Sequence, residues 1–252
     1  MTSVHLRRSV SVLLLSLLSV AVQAADLTVS AAASLTNAFR ELGPVFEAQS
    51  PGIAVVFNFA SSDALLAQIV KGAPADVFAS ADQDAMDRAD AQKVMVAGSR
   101  RNFVSNTLVL IVPSDSALGI RSLGDLQKAE VKRIAIGNPA SVPVGRYTKG
   151  TLEAAKLWAA VERKAIMAQS VRQALDYVAR GEVEAGFVYS TDAALMKTKV
   201  KVVATIPTET AITYPIAAIS GSPNPDAARK FIDFLLTPAS QAVLARYGFG
   251  KL

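Results

Sequence analysis

Ser34 ends the apolar run Leu27-Thr-Val-Ser-Ala-Ala-Ala and is followed at once by Leu35-Thr-Asn-Ala-Phe-Arg-Glu-Leu42. The first stretch reads as a buried strand; the second places Leu35, Phe39, Leu42 and Phe46 on one helical face. A strand that enters a helix through so short a turn leaves the first backbone N–H groups of the helix unpaired and aimed outward. Together with the positive end of the helix dipole, such donors can hold an anion without any charged side chain. The Ser34 hydroxyl either joins that set or caps its own helix.

The same junction recurs along the chain. Ser61-Ser62-Asp63 opens a second helix after the strand Ile53–Phe59, with two adjacent serines where one cap suffices. Asn138-Pro-Ala-Ser-Val-Pro-Val144-Gly145 enters a third, with proline near its first turn and Gly145 leaving room for another group to approach the backbone. Gln169-Ser170-Val171-Arg172 opens a fourth, Ser170 being the natural cap. Arg172, in that first turn, points to solvent or braces an interface. Tyr189 ends Gly186-Phe-Val-Tyr at the carboxyl edge of its sheet, where open α/β sheets bind ligands; a half-buried core tyrosine is the plainer reading. Each signal has a structural explanation on its own. Their conjunction implies a small anion held by neutral, pre-aligned dipoles in a cleft between two lobes. A donor-only shell rejects a protonated oxyanion, whose extra O–H would face another donor. Cavity size would then separate larger from smaller tetrahedral dianions.

Composition narrows the chemistry. The only histidine, His5, lies in the leader and there is no cysteine, so Ser-His-Asp, Cys-His and histidine-based zinc sites are excluded from the mature chain. The acids of Asp76-Val-Phe-Ala-Ser-Ala-Asp82-Gln-Asp84 lack the spacing of a calcium loop, and Asp82 is placed to cap the next helix. Met1 to Ala24 reads as a signal peptide: Arg7 and Arg8 precede the apolar run Val10 to Val22, and Val22-Gln23-Ala24 supplies small residues for cleavage after Ala24. Export to the periplasm is expected. Without Arg7 and Arg8 the net charge falls from +5 to +3, and no basic run with interleaved aromatics suggests nucleic acid.

Short apolar strands alternate with helical stretches throughout, which predicts an α/β fold with mixed, mostly parallel sheets. Thr107–Val112 and Tyr214–Ile219 separate the blocks of βα units and are expected to cross between two lobes. Residues 25–106 with 213–252 would form the first lobe and 107–212 the second, with the ligand cleft between them.

At these junctions the chain resembles the periplasmic molybdate-binding proteins of ABC-type importers. The matching stretches are Ala31-Ala-Ala-Ser-Leu-Thr-Asn-Ala38, Phe59-Ala-Ser-Ser62, Gly72-Ala-Pro-Ala-Asp-Val-Phe-Ala-Ser-Ala-Asp82, Val142-Pro-Val-Gly145, Val171-Arg-Gln-Ala-Leu175, Gly186-Phe-Val-Tyr-Ser-Thr-Asp-Ala193 and Arg246-Tyr-Gly-Phe249. The resemblance implies a type II periplasmic-binding-protein fold with two hinged lobes. It implies that Ser34 and Ser62 bind the oxyanion through hydroxyl and amide, Val144 and Val171 through amides, and Tyr189 through its hydroxyl. The implied ligand is molybdate or tungstate, with molybdenum bound as the oxyanion and not coordinated by side chains; no cofactor is implied. The implied partners are an inner-membrane permease and its ATPase, and a monomer is the default for such a carrier. Val144 stands where the family often has a smaller residue, and Asp63 where a neutral one is common, which adds an acid near the anion. Other small anions (sulfate, thiosulfate, or a carboxylate gripped by Arg146 or Arg172) keep the same class. A secreted hydrolase using Ser34 or Ser62 would lack both the Gly-x-Ser-x-Gly elbow and a histidine base.

Overall fold

The computed structural model describes residues 25–252, so the expected leader and its cleavage point after Ala24 lie outside the described residues. The first part of the chain supplies β1 (Ala25–Ala32), α1 (Thr36–Gln49), β2 (Ile53–Ala60), α2 (Ser62–Val70), β3 (Val77–Ala79), α3 (Gln83–Ala91) and β4 (Arg101–Asn106). The middle supplies β5 (Leu108–Pro113), β6 (Ile134–Gly137), α4 (Pro143–Ala154), α5 (Trp158–Glu162), β7 (Ala165–Ala168), α6 (Val171–Ala179), β8 (Ala185–Tyr189), α7 (Ser190–Leu195) and β9 (Val200–Ile206). The chain closes with β10 (Ile212–Ala218), α8 (Pro225–Leu235) and α9 (Pro238–Arg246).

Two five-stranded sheets result, ordered β2-β1-β3-β10-β4 and β7-β6-β8-β5-β9. Each is the centre of one lobe, and the two repeat a single design. In the first, β1 runs parallel to β2 and β3; in the second, β6 runs parallel to β7 and β8. These are the pairings that βα units generate. The strand that has just crossed from the other lobe, β10 or β5, inserts antiparallel to its neighbours. The sheets are therefore mixed because the chain changes lobe twice.

The crossings differ in detail from the expectation. Thr107–Val112 and Tyr214–Ile219 do not span the lobes; they correspond to β5 and β10, each paired on both sides within one sheet. The chain passes between sheets at Thr107, alone between β4 and β5, and at residues 207–211 between β9 and β10. Strand β4 carries no apolar run: only Phe103 and Val104 are buried, between polar Arg101-Asn102 and Ser105-Asn106, as suits an edge strand.

Central strands and helix faces build the core. Leu27, Val29 and Ala31 of β1 have no exposed surface, and α6 buries Val171, Ala174, Leu175 and Val178 along one face. The closing helix α8 returns to the first lobe because Phe231 meets Phe39 and Phe46 of α1 edge-on, with ring centroids 5.9 and 5.1 Å apart. Gly72 follows α2 with φ of +87°, a conformation that stops a helix and favours glycine.

Gly145, read from sequence as a point of close approach, is one, but the approaching group is the chain itself. A Cβ there would lie 1.9 Å from the carbonyl oxygen of Gly137 at the end of β6. The start of α4 is thus pressed directly onto β6, which fixes the position of the preceding amide of Val144. Gly145→Ala is expected to destabilise the protein by about 3 kcal/mol or more through backbone displacement. Gly150→Ala, on the same helix with nothing within 4 Å of its added Cβ, should instead stabilise by about 0.5–1 kcal/mol. Urea unfolding of both variants checks the pair; equal effects would mean that α4 and β6 are not locked at Gly145.

Candidate functional site

Ser34, Ser62, Val144, Val171 and Tyr189 line a single small cavity between the lobes. Ser34 and Ser62 come from the first lobe and the other three from the second. Their convergence follows from the topology: the parallel strands β1 and β2 of one sheet and β6, β7 and β8 of the other all end at this edge, and each leads into a helix.

The four helix starts differ in how their first turns are satisfied. Between β1 and α1 lies a 3₁₀ turn, Ala33–Leu35, with no side-chain cap at either junction. The Ser34 hydroxyl does not cap; its Oγ lies 2.9 Å from the hydroxyl of Tyr214. Ser61 is the N-cap of α2 by position, yet its side chain makes no capping bond. Ser62, at N1, accepts the Ala81 N–H at 3.0 Å on its Oγ, which leaves its own hydroxyl proton available to another acceptor. The N-cap of α4 is Val142, which has no capping atom, and Pro143 has no N–H, making Val144 the first amide donor of that helix. Only at α6 does the plain reading hold: Ser170 caps by accepting Gln173 N–H at 3.2 Å, which leaves the Val171 amide at N1. The amides of Ser34, Ser62, Val144 and Val171 thus occupy positions for which a helix provides no partner.

Tyr189 is almost wholly buried, and its hydroxyl donates to the Ala81 carbonyl at a long 3.4 Å. Burial raises its pKa well above the ordinary value, and that of Tyr214 likewise, so both phenols stay protonated. The walls of the cavity are apolar and enclosed: Ala81, Val142, Val144 and Val171 are all buried. In such surroundings amide and hydroxyl dipoles act more strongly than in water.

The charges nearby are matched among themselves. Arg146 reaches from the second lobe to the first, with Nε 2.8 Å from Asp82 Oδ2 and Nη2 2.8 Å from Asp63 Oδ2. Asp63 also pairs with Arg88, so the acid that sequence placed near the anion is neutralised outside the cavity wall. Asp82 caps α3 by accepting the Ala85 N–H; burial pushes its carboxyl above the usual range, with Arg146 opposing. Asp76 instead accepts the Thr28 N–H at 2.7 Å and the Ser222 hydroxyl, so the acidic run is divided among structural tasks. Arg172 braces the interface: it pairs with Asp192 in its own lobe while Nη1 meets Asn37 Oδ1 at 2.8 Å and Nη2 the Ser34 carbonyl at 3.3 Å. Neither Arg146 nor Arg172 lines the cavity.

Two residues beside the cavity were not singled out from sequence. Tyr214 sits in the apolar stretch of β10 and reads as core; Asn106 ends the unrecognised strand β4. Only tertiary structure brings the Asn106 amide within 3.1 Å of the Tyr214 hydroxyl, and that hydroxyl onto Ser34.

Asp192 is fully buried, and among the described residues its Oδ2 has no hydrogen-bond partner. Burial raises its pKa to about 6, against the pull of Arg172. A folded-state pKa above the unfolded value means that the native state binds more protons between about pH 4 and 6, so stability from this group falls as pH rises through that window. Acidification from pH 7.5 to 4.5 should therefore stabilise the wild type relative to Asp192→Asn by roughly 2 kcal/mol in urea unfolding. No relative change would show that Asp192 ionises at its ordinary value.

This geometry can be set beside proteins of related sequence. A model of the family described as bacterial extracellular solute-binding protein matches residues 27–250. The chain is 38% identical over 234 residues to the molybdate-binding protein ModA of Escherichia coli K12, with 88% of each chain covered. It is 36% identical over 230 residues to the molybdate-binding protein ModA of Haemophilus influenzae, covering 89% of this chain and 90% of that one. The structure matches the periplasmic molybdate-binding protein of Azotobacter vinelandii with a TM-score of 0.77 and 26% identity, over 88% of this chain and 98% of that one. These relatives are solute-binding proteins, not enzymes. The family model covers nearly all of the described chain, and on that match the chain belongs to the bacterial extracellular solute-binding protein family.

Proposed function

We propose that this protein captures molybdate, and tungstate with it, in the periplasm and delivers it to an inner-membrane permease driven by its ATPase. The observation that carries the reading is the single cavity in which Ser34 and Ser62 face Val144, Val171 and Tyr189. Four unpaired helix-start amides and the Ser34 and Ser62 hydroxyls form a shell of donors with no cation among them, and Tyr189 joins it by giving up its long bond to the Ala81 carbonyl. Such a shell suits a fully deprotonated tetrahedral oxyanion, because every oxygen can accept and none needs to donate. It reads the oxygens and the size of the anion, not the identity of the central metal, which is why tungstate is included. The similarity to molybdate-binding proteins of two other bacteria supports molybdate among such dianions.

On this reading the lobes are residues 25–106 with 213–252 and residues 107–212. They close about Thr107 and residues 207–211 when the anion joins donors from both sides. The protein needs no cofactor, acts as a monomer, and is released by cleavage after Ala24. Among the described residues no helix is long and apolar enough to cross a membrane.

Calorimetric titration of the mature protein tests this. Molybdate and tungstate should bind, with phosphate weaker by at least about 10-fold because its remaining O–H meets a donor, and sulfate weaker because it is smaller. Sulfate or phosphate binding as tightly as molybdate would contradict the reading. Ser34→Ala should weaken molybdate by about 10–100-fold, the value of a hydrogen bond to a charged group; unchanged affinity would remove Ser34 from the site.

A further inference from the structure

The hydrogen-bond network behind Ser34 has a determined direction. Asn106 Oδ1 accepts the Thr107 N–H at 2.9 Å. A backbone N–H can only donate, so this end of the side chain must be the carbonyl. The Ser190 hydroxyl, 3.1 Å away, donates to the same oxygen. The other end is therefore the NH₂ group, and both its protons are committed: one to Thr191 Oγ1 at 2.9 Å, the other to the Tyr214 hydroxyl at 3.1 Å. Tyr214 thus accepts from Asn106, and its own proton has one partner left, Ser34 Oγ at 2.9 Å. Ser34 in turn accepts from Tyr214, which leaves its proton for the cavity. Tyr214 has no exposed surface, so no solvent molecule can take its proton in place of Ser34.

We infer that Asn106 and Tyr214 are positioning residues that set the specificity of the site by holding the Ser34 hydroxyl as an obligate donor. The inference rests on the proposed oxyanion site and adds to it the groups that fix the polarity of one of its hydroxyls. A serine free to rotate would accept a proton as readily as donate one, and so would accommodate a protonated oxyanion. A serine that accepts from Tyr214 turns its own O–H toward the cavity, where it meets the O–H of a protonated oxyanion donor to donor. Asn106 is also the last residue before the crossing at Thr107, and its partners Ser190 and Thr191 begin α7 of the other lobe. The relay is therefore anchored where the lobes join, behind the cavity and not within it.

The test compares molybdate with phosphate at pH 7.5, by calorimetry, with sulfate titrated alongside. Molybdate and the main form of phosphate both carry two negative charges at this pH, but only phosphate keeps an O–H. A plain change in local charge shifts both affinities together and leaves their ratio alone; only a change in donor direction moves the ratio. Tyr214→Phe keeps the ring against Tyr189, Phe103 and Phe249 and deletes the relay. It should lower the molybdate-to-phosphate ratio by about 10-fold. Asn106→Asp replaces the donor by an acceptor of the same shape, so Tyr214 turns to donate to it, Ser34 donates to Tyr214, and a lone pair faces the cavity. This variant should lower the ratio further than Tyr214→Phe. In the Tyr214→Phe or Ser34→Ala background, Asn106→Asp should leave the ratio where that background put it, since the relay is cut.

Ratios unchanged in both single variants overturn the inference while leaving molybdate binding by the wild type intact. An effect of Asn106→Asp on the ratio that persists in the Tyr214→Phe background also overturns it. If the wild type prefers sulfate, the same ratios are read with sulfate against phosphate, and the proposed ligand fails without the relay. A wild type that binds none of the three anions overturns both.

Discussion

The first amides of a helix cannot be satisfied by the helix itself, and this constraint organises the molecule. Wherever a strand feeds a helix at the carboxyl edge of a sheet, unpaired N–H groups are left pointing off that edge. The 3₁₀ turn at Ala33–Leu35 and the starts of α2, α4 and α6 place four such ends around one cavity shared by the two lobes. Side chains that would normally satisfy them are withheld. Ser34 bonds to Tyr214, Ser62 accepts from Ala81, and Val142 has no polar atom to offer. Ser170, whose capping is complete, takes the Gln173 N–H and leaves that of Val171. The donors are held rigidly by the two sheets and the close contact of Gly145 with Gly137, so little reorganisation is needed to receive an anion.

Charge is kept separate from recognition. Full charges near the cavity sit in pairs: Arg146 pairs across the lobes with Asp63 and Asp82, and Arg172 pairs with Asp192 in its own lobe while reaching Asn37 and the Ser34 carbonyl of the other. A cation in direct contact would attract any anion, whatever its protonation state or size. Neutral donors in a buried cavity respond to where protons are and how far oxygens lie, which is a finer criterion. The paired arginines can meanwhile favour the closed arrangement of the lobes without choosing the ligand. Exposed pairs of this kind are weak, but those around Asp82 and Asp192 are largely shielded from solvent.

Much of this was legible in the chain. Helix starts announce themselves locally, so Ser62, Pro143 and Val171 mark the first residues of α2, α4 and α6 where the sequence put them. The alternation of apolar strands with amphipathic helices identifies the fold class for the same reason. What was hidden is what only long-range contact decides. Strand β4 is an edge with two buried residues, and its polarity masks it. The crossings read as the apolar strands Thr107–Val112 and Tyr214–Ile219, although the chain changes lobe at Thr107 and at residues 207–211, at or just before their first residues. Asp63 looked unfavourable for an anion because its partners Arg88 and Arg146 lie 25 and 83 residues away. Tyr214 and Asn106 gave no signal because one reads as core and the other as loop; their role exists only through Ser34, 180 residues from Tyr214.

The central claim is that uncharged groups alone contact the anion. A crystal structure of the mature protein grown with molybdate tests it most directly. The account predicts the anion's oxygens within hydrogen-bond distance of the amides of Ser34, Ser62, Val144 and Val171 and of the Ser34, Ser62 and Tyr189 hydroxyls. It also predicts that no arginine or lysine nitrogen will be in contact with those oxygens. An anion held by the guanidinium of Arg146 or Arg172, or seated outside this cavity, would contradict it.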